Sequence, residues 1–481
     1  MSDIGTRKIT TLLVDLGGVF AHANLGQVTL VGPKSTVSHQ RLTTTATWKA
    51  FESGQINEEE CCQQLGDQHG ILPSDIAASM REQRKAVVLD PNMISTLRAI
   101  KQATLGRVKI ILASNISKPD YNALVERWGS IFWSLFDQVI ASFAVGACKP
   151  SRLFYRRLLQ ETRATPQETV FVDDQRDNIL AAASLGLHTI LFMGVSDLSL
   201  TLTNVFGDTI QRGMDYMRRN AGQHHSTVDD ATVVKENYSQ LLILDLIQDM
   251  TLVEIRRPPR LWNFFFDGAM FTTEIYPDDV DTTALALATM SYDSNLAHSI
   301  LDDMLQNVDE EGLVQLYFDS TRPRVDAVIC VNVLTLFYLN GRGYQLPNML
   351  SWIQDILIHR AYLHGTRYYS TAEWFLYYTA RLLHRSQDPG LQEVLEGPLR
   401  VRVKERIGTG GDALCIAMRI CTCNLLGVIN RLDTETLTRL QYEDGGWEPS
   451  ALYDFPGVGK SVGNRGLTTA FAVKALQSVP E

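Results

Sequence analysis

The sequence predicts two unlike domains, an α/β domain with a parallel sheet followed by an all-α domain. The chain has 481 residues, which is too long for one hydrophobic core. Short apolar runs alternate with helical patterns in its first half, whereas its second half carries helical patterns only. A polar stretch, residues 220–230, lies between these textures and is the predicted linker.

Four short apolar runs of the first half end in polar residues, as parallel strands do at the ligand-binding edge of a sheet. These runs are Ile9–Val14, Val108–Ala113, Thr169–Val172 and His188–Phe192. Residues from about Thr43 to Val88 interrupt the alternation, and Asn57 with Glu60 is typical of a helix start. We therefore expect a domain over residues 1–219 with a helical cap at about 43–88.

The second half, residues 231–481, shows helical periodicity and no strand pattern. The predicted helices are Asn237–Asp249, Thr283–Met290, Ala297–Gln306, Ala327–Leu339, Met349–His359, Ala372–His384, Leu414–Ile429 and Leu467–Gln477. Turns with Gly or Pro separate them, so the second domain is predicted to be all α.

Composition excludes several classes of partner. A net charge of -10 argues against a nucleic-acid partner, which needs a basic surface. No apolar run reaches the length of about 18 residues that indicates a membrane span, and no secretory signal pattern is present. Seven cysteines without paired spacing are typical of reduced thiols. We expect a cytoplasmic protein, and nothing in the sequence indicates its oligomeric state.

Polar residues at the predicted strand ends form the first candidate site. Asp15, Ser114, Lys149, Asp173 and Asp174 lie at or just after these ends. Transfer through an aspartyl-phosphate needs a carboxylate nucleophile, carboxylates for a divalent cation, and hydroxyls or cations for the phosphate. Each residue alone has a structural explanation, since an Asp or Ser at a strand end often caps the next helix. Their order along one sheet edge nevertheless predicts a phosphoryl-transfer site.

The segments LLVDLGGVF, ILASNIS, CKPSRLFY and VFVDDQRDNIL resemble the four motifs of the haloacid dehalogenase superfamily. The resemblance covers about residues 8–195 and implies a Rossmann-like fold with Mg²⁺ as the cofactor. It implies Asp15 as nucleophile, Ser114 and Asn115 as phosphate-binding residues, Lys149 as charge stabiliser, Asp15, Gly17, Asp173 and Asp174 as the metal site, and Asp177 as a partner around it.

Gly17 departs from the pattern of this superfamily. Most of its phosphatases carry a second Asp two residues after the nucleophile, where it acts as general acid and base, and this chain has Gly17 there. Loss of a positioned proton donor costs about 10²–10⁴-fold in rate. A phosphate leaving group lessens that need, so we expect phosphatase activity of reduced efficiency.

The stretch Asp279–Thr283, DVDTT, forms the second candidate site because it leads into the predicted helix. One interpretation is an acidic helix cap. The other is a general acid for a carbon–carbon double bond, kept protonated by burial and a neighbouring carboxylate. The stretch resembles the D-x-D-T-T form of the class II terpene cyclase motif, which implies Asp281 as proton donor and Asp279 as the residue that orients or tunes it. Class I terpene cyclases instead ionise the diphosphate with metal ions bound by a D-D-x-x-D motif. Asp278 and Asp279 could begin such a motif, but it would need an acid at position 282, where Thr282 stands.

The segment QYEDGGW, Gln441–Trp447, resembles a repeat of triterpene and related cyclases. In those proteins its Gln and Trp hold together the helices of an α/α toroid, so the resemblance implies this fold for the second domain. A P-loop at 457–461 is disfavoured because Asp454 stands where a glycine is needed.

Substrate contacts are expected from cations and aromatic rings. Lys460 and Arg465 are the candidate residues for binding a diphosphate. The alternative is that both belong to a solvated basic loop without a ligand. Aromatic faces stabilise carbocations. The candidate rings are Trp262, Phe264, Phe265, Phe266, Tyr368, Tyr369, Trp374 and Phe375, of which we expect about a third to line the pocket. Phe266 and Trp374 are our specific predictions.

Together the two halves resemble drimane-type sesquiterpene synthases with a fused phosphatase domain. The resemblance implies protonation-initiated cyclisation of farnesyl diphosphate, then dephosphorylation towards drimenol or albicanol. Three alternatives stay open. A non-enzymatic scaffold would require both sets of acids to be coincidental, and the other two are enzymes. The first is a cyclase that releases the bicyclic diphosphate or monophosphate because its phosphatase domain is weak. The second is a phosphatase of small phosphate esters with a helical binding module.

Overall fold

The computed structural model describes residues 9–23, 29–31, 36–228, 232–455 and 459–477. The chain divides into two compact units, residues 1–207 and 208–481. The boundary therefore lies earlier than the predicted domain end at residue 219. The reason is the helix Thr209–Arg219, which buries Gly213, Tyr216 and Met217 within the second unit. Among the described residues, no helix combines the length and apolarity that a membrane span needs.

The N-terminal unit is an α/β unit. Its strands are β1 (Thr11–Val14), β2 (Ala21–Ala23), β3 (Thr29–Val31), β4 (Thr36–Ser38), β5 (Val87–Leu89), β6 (Lys109–Ser114), β7 (Gln138–Ala141), β8 (Thr169–Asp173) and β9 (His188–Leu191). Its helices are α1 (His39–Thr43), α2 (Ala46–Glu52), α3 (Glu58–His69), α4 (Pro73–Ala86), α5 (Pro91–Ala103), α6 (Lys118–Trp133), α7 (Ser142–Val145), α8 (Arg152–Thr162), α9 (Arg176–Ala183) and α10 (Val195–Phe206).

A parallel sheet with strand order β7-β6-β1-β8-β9 forms the centre of this unit. Successive residues of β1 alternate between its faces. Leu12 and Val14 belong to one apolar cluster with residues of α5 and α10, whereas Leu13 belongs to another with residues of α8. The four predicted strands are confirmed. Strand β7 was not predicted.

The predicted helical cap is present between β1 and β5. Helices α1–α4 surround a separate apolar cluster that contains Trp48, Phe51 and Ile76. Helix α3 begins at the predicted capping box: the Glu60 N–H donates to Asn57 Oδ1 (2.9 Å), and the Asn57 N–H donates to Glu60 Oε2 (2.8 Å). The cap thus has its own core, which lets it fold as an insertion in the α/β unit.

The second unit is mainly helical. Its helices are α11 (Thr209–Arg219), α12 (Asn237–Ile247), α13 (Val280–Thr289), α14 (Ser294–Gln306), α15 (Ala327–Leu339), α16 (Pro347–His359), α17 (Ala372–Ser386), α18 (Pro389–Leu391), α19 (Gly397–Arg406), α20 (Ala413–Leu425), α21 (Arg431–Arg439) and α22 (Arg465–Gln477). Its strands are β10 (Ser226–Val228), β11 (Thr232–Val234), β12 (Ala451–Phe455) and β13 (Lys460–Gly463).

Six of these helices form a closed ring. Each of α12, α13, α15, α17, α20 and α22 packs against the next, and α22 packs against α12. The ring helices are buried on nearly all sides, as in α15, where every residue from Ala327 to Phe337 is buried. Outer helices such as α14 bury one face only. This arrangement is the predicted α/α toroid.

The prediction of no strands in this half was wrong. Strands β10–β13 form an antiparallel sheet in the order β11-β10-β13-β12. Strand β10 lies within the residues predicted as a linker, where Ser226 and Val228 are buried. Polar and short, it carried no alternating apolar pattern that would have predicted it. Residues 229–230 of that predicted linker, and Gly457 and Val458 of the Gly-rich loop, lie outside the described residues.

The QYEDGGW segment holds three helices together, as its resemblance implied. Gln441 Nε2 donates to the carbonyl of Thr209 at the start of α11 (2.9 Å). Trp447 Nε1 donates to the carbonyl of Leu437 in α21 (2.8 Å), and Thr469 Oγ1 in α22 accepts from the Trp447 N–H. Both side chains are fully buried, so their polar atoms depend on these bonds.

We predict that Gly445→Ala destabilises the protein by about 2–4 kcal/mol. Gly445 has φ +90°, and a Cβ atom there would lie 2.3 Å from the carbonyl oxygen of Arg212. Gly427→Ala is the matched control, because Gly427 has φ +63° but open space around its Cα; it should cost only about 1–2 kcal/mol. Chemical denaturation of both variants measures the difference, and equal losses would contradict the close packing at Gly445.

Candidate active sites

The parallel sheet brings the predicted phosphoryl-transfer residues to one edge. Asp15 follows β1 directly, Ser114 is the last residue of β6, and Asp173 is the last residue of β8. Since β1 lies between β6 and β8, the Asp15 carboxylate stands in the middle of this edge. All three residues are buried. The predicted grouping is therefore present.

Lys149 joins this group through two buried ion pairs. Its Nζ lies 2.7 Å from Asp15 Oδ1 and 2.7 Å from Asp173 Oδ2. Burial raises the pKa of the Asp15 carboxyl, and the Lys149 ammonium opposes that rise. The backbone N–H of Leu16 also donates to Asp15 Oδ1 (2.7 Å), which fixes the carboxylate in place.

Two asparagines fix the positions of Lys149 and Asp173 by hydrogen bonds. The side chain of Asn115 accepts from the Lys149 N–H (2.7 Å) and donates to the Lys149 carbonyl (3.0 Å). Asn178 Nδ2 donates to both oxygens of Asp173, at 2.9 and 3.0 Å. The partner role predicted for Asp177 therefore falls to Asn178, because Asp177 is exposed on α9 and Asn178 turns inward.

The carboxylates of Asp15, Asp173 and Asp174 fit a divalent cation. Their oxygens come within 4.8 Å of one another, and Mg²⁺ prefers oxygen ligands. Gly18 lets Asp174 approach, since a Cβ at Gly18 would lie 2.4 Å from Asp174 Oδ2. A Cβ at Gly17 would meet no atom within 4 Å, and its place in the metal site stays a prediction.

A cavity of about 760 Å³ opens at the end of the helix ring where α12, α13 and α15 begin. Asp279 and Asp281 both line it. Nine aromatic rings line it as well: Tyr238, Phe264, Phe271, Tyr276, Tyr317, Tyr368, Tyr369, Tyr453 and Phe455. The second unit therefore contains an aromatic pocket lined by its own residues, of the size that ligands occupy in proteins.

Asp279 is the residue that caps α13. Its Oδ1 accepts from the Thr282 N–H (2.6 Å), and its carbonyl accepts from Thr283 Oγ1 (2.7 Å). Its Oδ2 is buried and has no hydrogen-bond partner among the described residues. The capping interpretation thus describes Asp279 and leaves Asp281 for another role.

Asp281, in the first turn of α13, is held by two uncharged donors. Asn332 Nδ2 of α15 donates to Asp281 Oδ1 (2.8 Å), and the Tyr369 hydroxyl donates to Oδ2. Burial raises the pKa of Asp281 to about 7 and that of Asp279 to about 8. Below these values both carboxyls keep their protons, which a general acid must do until it reacts.

Three arginines that the sequence did not single out line the same cavity. Arg322 pairs with Asp319 and donates to Thr273 Oγ1, whereas Arg324 and Arg367 form no ion pair among the described residues. Arg324 and Arg367 are exposed at the cavity. They supply the positive charge that an anionic group at the cavity would need. A motif search misses them because they lie in irregular segments between helices.

The structure does not support the predicted binding of a diphosphate by Arg465. Its guanidinium forms two hydrogen bonds with Asp444, at 2.9 Å each, and lies over the rings of Tyr216 and Tyr442. This ion pair anchors the QYEDGGW segment, and Arg465 does not line the cavity. Lys460 does not line it either, but its Nζ lies 5.4 Å from the ring of the lining residue Phe271.

The two rings chosen as substrate contacts lie outside the cavity lining. Trp374 is fully buried and packs behind Tyr369, with ring centroids 5.2 Å apart. Phe266 is buried beneath the guanidinium of Arg256. Of the eight candidate rings, Phe264, Tyr368 and Tyr369 line the cavity, about the expected third. Most of the remaining rings of the cavity lining lie in loops and in β12, where no periodic sequence pattern marks them.

We predict that Asp279→Asn stabilises the protein increasingly as the pH rises from about 4 to about 8. An Asp whose pKa is raised on folding keeps a proton that the unfolded chain has lost, so its contribution to stability falls with rising pH in this window. Asn removes that loss and keeps the cap, for a gain of about 3–5 kcal/mol at pH 8.

Unfolding by denaturant across this pH range measures the effect. Asp293→Asn is the control, because Asp293 caps α14 in the same way but at the exposed surface. A stability difference between Asp279→Asn and wild type that does not change with pH would contradict the protonated, buried state of Asp279.

Two known protein families match parts of this chain. Residues 28–186 match the haloacid dehalogenase-like hydrolase family, and residues 210–340 match the sesquiterpene cyclase astC-like C-terminal domain. A haloacid dehalogenase family enzyme of known structure from Bacteroides thetaiotaomicron is 18% identical, with a TM-score of 0.30 over 38% of this chain and 93% of that one.

Two relatives have a higher sequence identity to this chain. Sesquiterpene phosphatase astK of Aspergillus oryzae is 34% identical over 36% of this chain and 85% of its own. Drimenol cyclase drtB of Aspergillus calidoustus is 36% identical over 98% of this chain and 88% of its own. The chain therefore belongs to the drimenol cyclase family, with a haloacid dehalogenase-like hydrolase domain ahead of an astC-like sesquiterpene cyclase domain.

Proposed function

We propose that this protein cyclises farnesyl diphosphate by protonation to a drimane-type bicyclic diphosphate, and then dephosphorylates that product towards drimenol or albicanol. The cyclisation belongs to the helical unit and the dephosphorylation to the α/β unit. The names of the relatives, a drimenol cyclase along nearly the whole chain and a sesquiterpene phosphatase along the α/β unit, support this division.

The observation that carries the proposal is the Asp281 carboxyl in an aromatic cavity. Burial raises its pKa to about 7, so a large fraction is protonated at neutral pH. The rings of the cavity offer π faces to a carbocation, each worth about 0.5–2 kcal/mol. An acid that faces such rings suits the protonation of an alkene.

The proton step follows from the contacts of Asp281. Its proton passes to the distal double bond of the substrate, which leaves a carboxylate on Asp281 and a tertiary carbocation on the chain. Asn332 and Tyr369 each donate to one oxygen of the new carboxylate, which stabilises it without an ion pair among the described residues. Ring closure then moves the positive charge along the chain until a proton is lost.

The cationic side of the cavity suits the other end of the substrate. We assign diphosphate binding to Arg322, Arg324 and Arg367, in place of the predicted Lys460 and Arg465. Electrostatic attraction to these arginines would hold the diphosphate away from the acid and keep it attached to the chain. A cavity of about 760 Å³ in a single toroid also favours the fifteen-carbon substrate over its twenty-carbon homologue.

In the α/β unit we assign the nucleophile to Asp15. Its Oδ1 is fixed by the Leu16 N–H and by Lys149, so Oδ2 is available for attack on phosphorus. Lys149 stabilises the negative charge that develops on the phosphoryl oxygens. Asp15, Asp173 and Asp174 would hold Mg²⁺, which when bound polarises the phosphoryl group and offsets its charge.

Gly17 favours a second version of this function. Because Gly17 has no side chain, it cannot supply the acid and base that related phosphatases place there. In this version dephosphorylation is slow and the bicyclic diphosphate or monophosphate accumulates. Extraction of products with and without added phosphatase distinguishes the two versions.

We predict that Asp281→Asn lowers the cyclisation rate by about 10³-fold or more, because Asn has no acidic proton and Asp279, the other carboxyl that lines the cavity, is a weaker acid held as the cap of α13. Phosphate release from a supplied cyclic diphosphate should persist in the same variant. Product analysis after incubation with farnesyl diphosphate measures both. Near wild-type cyclisation by this variant would remove Asp281 from the mechanism.

Asp15→Asn should have the reverse effect. Loss of the nucleophile stops formation of the aspartyl-phosphate, so cyclic diphosphate should accumulate while free alcohol disappears. The control is Asp177→Asn, which changes an exposed carboxylate on α9. Alcohol release at the parental rate by Asp15→Asn would refute the assignment of the nucleophile.

Arg367→Ala should raise KM for farnesyl diphosphate about 10-fold or more, with a smaller change in kcat, because the diphosphate is held equally in the ground and transition states. Arg324→Ala should act in the same direction. Arg431→Ala is the control, since Arg431 is exposed on α21 and does not line the cavity. Steady-state kinetics that show KM unchanged in both cavity variants would place the diphosphate elsewhere.

A further inference from the structure

A chain of buried phenols continues from Asp281 into the helix ring. The Tyr369 hydroxyl bonds to Asp281 Oδ2, the hydroxyls of Tyr369 and Tyr238 lie 2.5 Å apart, and the Tyr238 hydroxyl bonds to that of Tyr378. Each of these tyrosines is less than 5% exposed. Four oxygens on three segments of the ring are thus linked in series.

The members of the chain come from different parts of the fold. Tyr238 lies in the first turn of α12, Tyr369 lies just before α17, and Tyr378 lies in the middle of α17. Tyr238 and Tyr369 line the cavity, whereas Tyr378 does not. Tyr378 is therefore too remote to touch a substrate in the cavity, and any effect on the reaction must pass through the other two hydroxyls.

The direction of this series of hydrogen bonds follows from the Tyr369–Asp281 bond, in which the hydroxyl is the donor. Each hydroxyl carries one proton and can donate once. When Tyr369 donates to Asp281, it must accept from Tyr238, and Tyr238 must then accept from Tyr378. All three dipoles then point towards Asp281. Hydrogen bonds aligned in this way polarise one another, so the terminal donor strengthens the bond that reaches the carboxyl.

We propose that Tyr378 and Tyr238 are positioning residues of the cyclisation, which act through Tyr369 to make Asp281 a stronger acid. This inference rests on the proposed role of Asp281 as proton donor. As the proton leaves for the alkene, negative charge develops on Asp281, and the aligned chain stabilises that charge. The same chain leaves the carboxyl proton free to face the cavity, since Tyr369 already donates to Oδ2.

Other groups also influence the acidity of Asp281, in addition to the tyrosine chain. Asn332 donates to Oδ1 from α15, Arg381 on α17 favours the carboxylate, and Asp326 before α15 opposes it. Asp279 and Cys330 face the same region from α13 and α15. Arg381 is itself paired with Asp245 on α12 (2.8 Å), so its charge is largely balanced. The tyrosine chain is the contact that a single hydroxyl deletion can alter without changing any charge.

The proposal predicts two coupled changes in the pH profile. Cyclisation requires protonated Asp281, so the rate falls as the pH rises through the pKa of this group. Tyr378→Phe removes the terminal donor, which weakens the acid and raises its pKa. The low-pH plateau of kcat should fall about three- to tenfold, while the descending limb moves to higher pH by about half a unit.

Tyr377→Phe is the matched control. Tyr377 is the neighbouring residue on α17, is equally buried and packs against Phe471, but its hydroxyl is not part of the chain. A purely structural disturbance lowers the plateau without moving the limb. Cyclisation of farnesyl diphosphate by the full-length protein should therefore show a displaced limb for Tyr378→Phe and an unmoved limb for Tyr377→Phe.

Replacement of Tyr378 by 3-fluorotyrosine keeps the ring and tests the opposite sign. Its hydroxyl is a stronger donor, so the limb should move to lower pH. Limbs that stay at the wild-type position in both Tyr378 variants would overturn the proposal, as would displacements in the same direction. Asp281→Asn separates this result from failure of the proposed proton donor. If that variant still cyclises, the role of Asp281 as proton donor fails, and if it does not, only the tyrosine chain is rejected.

Discussion

The helical unit depends on the burial of a carboxyl group that has no cation beside it. Asp281 bonds to Asn332 and Tyr369, which donate hydrogen bonds but carry no charge. Ionisation in such a place is costly, so the carboxyl keeps its proton to about pH 7. Asp245 on the same ring shows the alternative. It is equally buried but paired with Arg381, and its pKa is lowered. The ring can therefore neutralise a buried acid, and it does not do so at Asp281.

The two units use carboxylates in opposite ways. In the helical unit an acid must hold its proton until an alkene reaches it, and the aromatic lining offers π faces to the cation that forms. In the α/β unit Asp15 must be a nucleophile, and Lys149 at 2.7 Å opposes the rise in its pKa that burial causes. The chemistry is complementary as well: protonation leaves the diphosphate intact, and the phosphatase acts on that group. One chain thus contains the means to form the ring system and to release it as an alcohol.

Sequence motifs predicted the reacting residues, whereas the residues that surround them were revealed only by the structure. Asp15, Asp173, Asp279 and Asp281 are recognisable because strand ends and the helix start place them at fixed local positions. The tyrosines and arginines of the cavity lie far apart in sequence and meet only when the ring closes, so no local pattern reveals them. Arg465 shows the converse error: a cation beside a Gly-rich loop is equally compatible with a structural ion pair, and Asp444, 21 residues earlier, supplied one.

The most direct test of the account is cyclisation of farnesyl diphosphate in D₂O. If buried Asp281 starts the reaction, its exchangeable proton enters the product, and each bicyclic molecule should carry one deuterium at the carbon derived from the distal alkene CH. Mass spectrometry with NMR of the dephosphorylated product locates that label. A bicyclic product formed in D₂O without deuterium at this carbon would mean that another event starts cyclisation, and would contradict the role given to Asp281.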